Sequence, residues 1–300
     1  MYDVLCTGLT CCDLIFAKLE KFPELGKEMV CEDFMIKPGG AANTPVALTR
    51  LGMKTAYVTT IGGDTAGNII YEYLKKTGLD MSSIIYDESQ RTNVSAVLSI
   101  GKERGFATYF AKANEEMELK RIQEIAPRCR HLHTYIHDCL NMPMLEIAKK
   151  NNMTLSVDTA WDESIKLKDI KHIIENADVF MTNEVEACCL TETDDAEKAL
   201  SLLGEHAKIL VIKLGGKGSI VKRGDKIIRV PAAEVGEALD TTGAGDLYGA
   251  GFVYGYLKGW DLEETARFAS ASGSLAVTFY GGMDERYTLE RVTELYESIR

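Results

Sequence analysis

Short runs of β-branched and other apolar residues alternate with segments of helical periodicity along most of this chain. Val4–Gly8, Ala56–Ile61, His131–Tyr135, Thr154–Val157, Val179–Thr182 and Lys208–Leu214 read as strands. Between and after them, Asn43–Leu51, Ala66–Thr77, Met142–Lys150, Ala196–Leu203 and Gly245–Leu257 read as helices. Asp261-Leu262-Glu263-Glu264 is a capping-box variant that opens a further helix through about Phe279. Such alternation predicts an α/β fold, with mostly parallel strands in a central sheet and crossover helices on both faces.

Two stretches, at about 14–37 and 92–110, break the alternation because they are strand-rich with no helix between their halves. Asn93–Ile100 partly alternates, Gly101-Lys102-Glu103-Arg104-Gly105 is turn-like, and Phe106–Phe110 resumes an extended pattern, which together predict a hairpin. The two excursions are expected to pair into a small sheet over the edge of one α/β domain spanning 1–300. No Pro/Gly/Ser-rich linker or internal repeat marks a second domain.

Composition narrows the function. The chain is 46% hydrophobic and 26% charged with six prolines, a globular rather than disordered balance. A net charge of −11 argues against a nucleic-acid partner, which calls for a basic patch, but not against a nucleotide neutralised by Mg²⁺ and helix termini. The N-terminus lacks a signal-peptide pattern, and no apolar run approaches the roughly 20 residues needed to cross a bilayer. The expectation is a cytoplasmic protein with no membrane partner. Its eight cysteines are scattered without a C-x-x-C pair and read as reduced, mostly buried small hydrophobes. His131, His133 and His137 are spaced like ligands, yet the first two fall in a strand-like stretch and are expected to face opposite ways, so no metal is assigned there.

The chemistry concentrates in Asp240-Thr241-Thr242-Gly243-Ala244-Gly245-Asp246, which leads into the apolar run Leu247–Leu257. Glycines at a helix start aim successive N–H groups outward, and with the helix dipole they make a cradle for a phosphate-type anion. An aspartate in the first turn is an ordinary capping device, and equally a base able to take a proton from a hydroxyl that attacks phosphorus. Other polar candidates fall just beyond expected strands, where ligands bind in open α/β sheets. These are Asp13, Gly39-Gly40-Ala41-Ala42-Asn43, Asn183-Glu184-Val185-Glu186 and Gly215-Gly216-Lys217-Gly218. Asn43 by itself reads as a helix cap, and Asn183 with Glu186 as a capping box. The Gly215–Gly218 turn has neither P-loop nor dinucleotide-fingerprint spacing.

The Asp240–Asp246 string resembles the C-terminal signature of the PfkB (ribokinase-like) family of carbohydrate and nucleoside kinases, and Pro38–Asn43 continuing to Leu51-Gly52 resembles its N-terminal one. The resemblance runs from Asp13 to about Gly282. It implies a three-layer ribokinase-like fold with a small β-sheet lid over the acceptor, and a homodimer formed through that lid. It implies that Asp246 is the catalytic base and that Gly243, Ala244 and Gly245 form the anion hole. Asp13, Gly39, Gly40 and Asn43 would orient the acceptor. Asn183, Lys213, Gly215, Gly218 and Thr241 would bind ATP, Glu186 would hold Mg²⁺ through water, and Asp240 with backbone near Ala276–Gly281 would hold a monovalent cation such as K⁺.

Departures bear on the acceptor. The glycine loop is shorter than in many sugar kinases of that family, and Asp158-Thr159-Ala160-Trp161 lacks an expected Asn. Trp161 is placed to stack on a sugar or base face. Arg104, in the lid hairpin, is a candidate to meet an acidic or phosphorylated substrate, with an ordinary solvated hairpin arginine as the alternative. The sequence therefore predicts phosphorylation by ATP of a hydroxymethyl group on a small sugar such as fructose, ribose or 2-keto-3-deoxygluconate. A nucleoside kinase of the same family and a catalytically idle sugar-binding regulator are the alternatives.

Overall fold

The computed structural model describes residues 1–100, 103–112 and 114–299, so Gly101 and Lys102 of the anticipated turn lie outside the described residues. The strands are, in chain order, β1 (Tyr2–Thr7), β2 (Thr10–Ala17), β3 (Asp33–Gly40), β4 (Thr55–Val58), β5 (Thr60–Gly62), β6 (Ile85–Asp87) and β7 (Asn93–Ile100). They continue as β8 (Glu103–Tyr109), β9 (Cys129–Tyr135), β10 (Thr154–Asp158), β11 (Val179–Asn183), β12 (Leu210–Lys213), β13 (Ser219–Arg223) and β14 (Lys226–Val230).

Eight of them form the central sheet in the order β14-β13-β12-β11-β10-β9-β1-β4. From β12 to β4 every pairing is parallel, and β13 and β14 extend the sheet as an antiparallel hairpin. The parallel strands are buried on both sides, and strand periodicity divides their side chains between two helical layers. Val4 and Cys6 pack under the layer of the Asn43–Arg50, Ala244–Lys258 and Leu262–Ala276 helices. Leu5 packs under the other layer, with Ile122, Ile147, Ile173 and Leu200. Every residue from Leu247 to Gly255 is buried, which explains why that helix reads as an unbroken apolar run rather than an amphipathic stripe.

The two excursions form one four-stranded sheet, ordered β3-β2-β7-β8. The join is parallel, β2 with β7, while β3 and β8 flank it in antiparallel pairs. Ile15, Ala17 and Val97 make its small apolar cluster, with Met35 and Tyr280 against it.

Four readings need correction. Asp13 is not a residue past the first strand; it lies within β2. Glu103, Arg104 and Gly105 belong to β8 rather than to the turn. His131 and His133, two positions apart in β9, share a face as strand geometry requires, and both ring edges meet Ser156 Oγ at 2.8 Å. Burial depresses both pKa values to about 3, so they are neutral core residues. The final helix of the sequence reading ends at Ala276 rather than near Phe279. The helices Glu115–Ile125 and Leu289–Ser298 went unread because their buried stripes are short, Ile122 and Ile125 in the first and Val292 alone in the second, whereas Leu167–Asn176 carries a regular stripe of Ile170, Ile173 and Ile174 that the sequence shows and the expectation omitted.

Candidate active site

Tyr135, Asp158, Asn183 and Lys213 are the last residues of β9, β10, β11 and β12, four neighbours in the sheet. Their side chains gather where the small sheet and the start of the Ala244–Lys258 helix meet. Gly243 caps that helix in the left-handed conformation, φ +77°, and has no side chain to bond the first-turn amides. A Cβ there would sit 2.8 Å from Gly282 Cα, so only glycine fits. Ala244 N donates to the Thr241 carbonyl at 3.3 Å, and the other first-turn N–H groups are placed to meet an anion at the positive end of a fifteen-residue helix.

Asp246 occupies that first turn. Asn43 Nδ2 donates to its Oδ2 at 2.9 Å, and the Tyr135 hydroxyl donates to its Oδ1 at 3.1 Å. Asn43 is therefore not the helix cap; that position is Ala42, and Asn43 Nδ2 also reaches the Gly40 carbonyl at 3.2 Å. Burial raises the Asp246 pKa, while the Asn43 bond, the Lys213 charge and the Tyr135 bond act against it.

Asp13 approaches from β2. Gly39, on the adjacent β3, makes room for it: a Cβ at 39 would lie 1.9 Å from Asp13 Oδ2. Burial, with Asp246 and Asp240 nearby, pushes the Asp13 pKa from 3.8 to about 7. The unfolded chain then loses this proton first, so stability falls as pH rises from about 4 to about 7. Asp13→Asn should raise the thermal midpoint of the ligand-free protein above pH 7, with the gain shrinking toward pH 4, while raising acceptor KM. A gain of equal size at pH 4 and pH 8 would show that the carboxylate carries no such burden.

A cavity of about 760 Å³ is lined by Asn183, Lys213, Gly215, Gly218 and Thr241 among others. These are the residues anticipated for ATP, and the volume suits a nucleotide-sized ligand. Lys213 is more than a lining residue. Its Nζ donates to both oxygens of Asp158, at 2.8 and 2.7 Å. Burial pushes Asp158 up to about 6, and Lys213 keeps it ionised at neutral pH. Burial opposes charge on Lys213, but Asp158 and Glu186 outweigh it and raise its pKa.

The capping box forms as read: Asn183 Oδ1 accepts from Glu186 N at 2.8 Å, and Glu186 Oε2 accepts from Asn183 N at 3.2 Å. Thr159 also donates to Oε2. These bonds engage one oxygen of Glu186, which leaves Oε1 suited to the waters of a hydrated Mg²⁺, a cation that retains several of them. The donor set therefore fits the metal.

Both oxygens of Asp240 accept from protein donors. Its Oδ1 accepts from Thr242 N at 2.9 Å and Thr242 Oγ1 at 2.7 Å, and Oδ2 accepts from Gly281 N at 2.9 Å. Lys37 of β3 donates to the Tyr280 carbonyl, and Arg104 Nη1 of β8 donates to Thr242 Oγ1 at 2.7 Å. Both edge strands of the small sheet are thus tied to the cradle through one buried aspartate and its partners.

The structure brings the anticipated residues together on the two sides of Asp246. Sequence reasoning missed Tyr135, the partnership of Asp158 with Lys213, and the Arg104–Thr242 bond. Tyr135 was findable by the same strand-end rule that picked out Asn183; the two pairings had no local signal.

A half-buried carboxylate beside helix-terminal amides, at the end of a sheet with a hairpin lid, fits a phosphotransferase acting on an alcohol group. The model of the pfkB family carbohydrate kinases matches residues 1–287, and the chain belongs to that family. It is 30% identical to a nucleoside kinase of Methanocaldococcus jannaschii over 100% of this chain and 98% of that protein. It is also 30% identical to fructokinase-1 of Oryza sativa, over 88% of this chain and 90% of that one. A putative ribokinase II from E. coli, solved with ATP and Mg²⁺, superposes with a TM-score of 0.84 at 22% identity, covering 99% of both chains. The protein is a sugar or nucleoside kinase of this family. Among the described residues no helix is long and apolar enough to cross a membrane.

Proposed function

We propose that this protein transfers the terminal phosphoryl group of ATP to a hydroxymethyl group of a monosaccharide held by Asp13, Gly39, Gly40 and Asn43. The observation that carries the reading is Asp246, half-buried at the amide cradle with Asn43 on one oxygen and Tyr135 on the other. Asp246 takes the proton of the acceptor hydroxyl as that oxygen bonds to phosphorus. The Gly243–Gly245 amides meet the charge on the transferred oxygens from a fixed position, which costs no reorganisation during reaction. Glu186 would hold Mg²⁺ through water, and the ion would supply charge neutralisation across the phosphates.

A nucleoside is the second reading, favoured by the full-length identity to the Methanocaldococcus nucleoside kinase and by Trp161, 54% exposed beyond β10. Fructose, ribose, 2-keto-3-deoxygluconate, adenosine and pseudouridine assayed side by side with MgATP separate the two. A kcat/KM highest for a nucleoside would replace the monosaccharide reading. No ADP release with any acceptor would end both. The exposed lid aromatics Phe34, Phe106, Tyr109 and Phe110 support a homodimer through the lid; a monomeric mass by light scattering would remove it.

Tyr135→Phe gives a further test. Loss of a donor to the carboxylate lets burial raise the Asp246 pKa further, so the acidic limb of the kcat/KM profile should move to higher pH. An unmoved limb would mean that Tyr135 does not bear on the base.

A further inference from the structure

Arg104, expected from the sequence to meet an acidic or phosphorylated substrate, takes no part in the acceptor and nucleotide assignments above. It stands on β8, the edge of the small sheet, opposite Ser99. Its guanidinium lies over the Phe106 ring, 5.7 Å from the centroid. Among the described residues only Nη1 is engaged, by Thr242 Oγ1, although a guanidinium carries five donors. Among the described residues no carboxylate comes within ion-pair distance of it. Burial works against its charge, offset by the more distant Asp240 and Asp246. A part-buried cation with spare donors and no anion on it is incomplete without a ligand.

Its surroundings say which ligand. Arg104 lines the large cavity with Lys213, Asn183 and Gly245, and a second one of about 280 Å³ with Ser99, Asp240 and Thr241. Its hydrogen bond goes to Thr242, the residue before Gly243 of the cradle, not to the acceptor group of Asp13, Gly39 and Asn43.

Building on the kinase reading above, we propose that Arg104 binds the phosphoryl group in transfer, closing the cradle from the lid side rather than holding an acidic acceptor. As the acceptor oxygen bonds to the γ-phosphorus, the bond from that phosphorus to the β–γ bridging oxygen breaks. ADP leaves with that electron pair, and the hydroxyl proton passes to Asp246. Negative charge spreads over the three remaining γ-oxygens. The helix amides meet it from the fixed body and Arg104 from the lid, so the chemistry depends on the lid being in place.

The test uses Arg104→Met and Arg104→Lys in the full chain, with calorimetric binding of MgATP and MgADP beside steady-state kinetics. Arg104→Met should lower kcat by about 10- to 100-fold and weaken MgATP by about 3- to 10-fold, as expected for one lost charge-assisted contact to phosphate. MgADP affinity and acceptor KM should stay within about twofold. Arg104→Lys should recover part of kcat, because it keeps the charge without the planar fork. Equal weakening of MgATP and MgADP would overturn the proposal. So would an acceptor KM rise at unchanged kcat, which assigns Arg104 to the acceptor. Absence of turnover by the unmodified protein would defeat the kinase reading alone, since the ATP-against-ADP comparison still decides Arg104.

Discussion

Asp246→Asn should lower kcat by about 10²–10⁴-fold, the scale of a lost general base, while folding and MgATP binding stay close to those of the unmodified protein. The geometry explains the separation of effects. Asn43 Nδ2 and the Tyr135 hydroxyl both donate to Asp246. An asparagine keeps the shape and one acceptor oxygen, so it loses one of these two bonds at most. What disappears is the capacity to accept the hydroxyl proton. The cradle amides belong to the backbone and survive, so nucleotide affinity should change little. Positioning and charge stabilisation also survive, which is why the loss stops well short of the full rate enhancement. Turnover within threefold of the unmodified protein would remove Asp246 as the base.

Lys213→Met should produce the largest change in stability. Asp158 is 2% exposed, and both of its oxygens accept from Lys213 Nζ. Removing the ammonium leaves an ionised carboxylate in the sheet interior, a loss on the order of 3–5 kcal/mol in comparable buried pairs. Protonation of Asp158, pushed to about 6 even with Lys213 beside it and higher still without it, offers the relief, so the variant should be least stable at alkaline pH and regain ground as pH falls toward about 4. The double variant Lys213→Met with Asp158→Asn removes both charges and should recover most of the lost stability. Urea unfolding of the three proteins at pH 8 decides the matter. A single-variant loss below about 1 kcal/mol would show that the pair behaves as a solvated surface contact. Activity should fall in both variants. Lys213 lines the 760 Å³ cavity proposed for ATP, and its charge also lowers the Asp246 pKa.

The expected strands of the central sheet were legible because their runs of β-branched residues are buried on both faces, as in β1 and β4. The lid was legible as an interruption: Asn93–Ile100 alternates because one side packs and the other does not. Less legible were amphipathic helices with few buried positions, such as Glu115–Ile125, and the hairpin of β13 and β14. The error over His131 and His133 came from misapplying strand periodicity, not from any ambiguity in the residues.

By itself the sequence determined the order of the main elements and the chemistry of the Asp240–Asp246 segment, because periodicity, caps and glycine turns act over a few residues. The tertiary structure alone decided which groups surround Asp246. Asn43 reaches Asp246 across 203 positions, Tyr135 across 111, and Lys213 reaches Asp158 across 55. Those meetings depend on the strand order, in which β9 to β12 lie side by side and the lid folds over their ends. Strand order follows from packing two helical layers against one sheet, a global competition that no local pattern records.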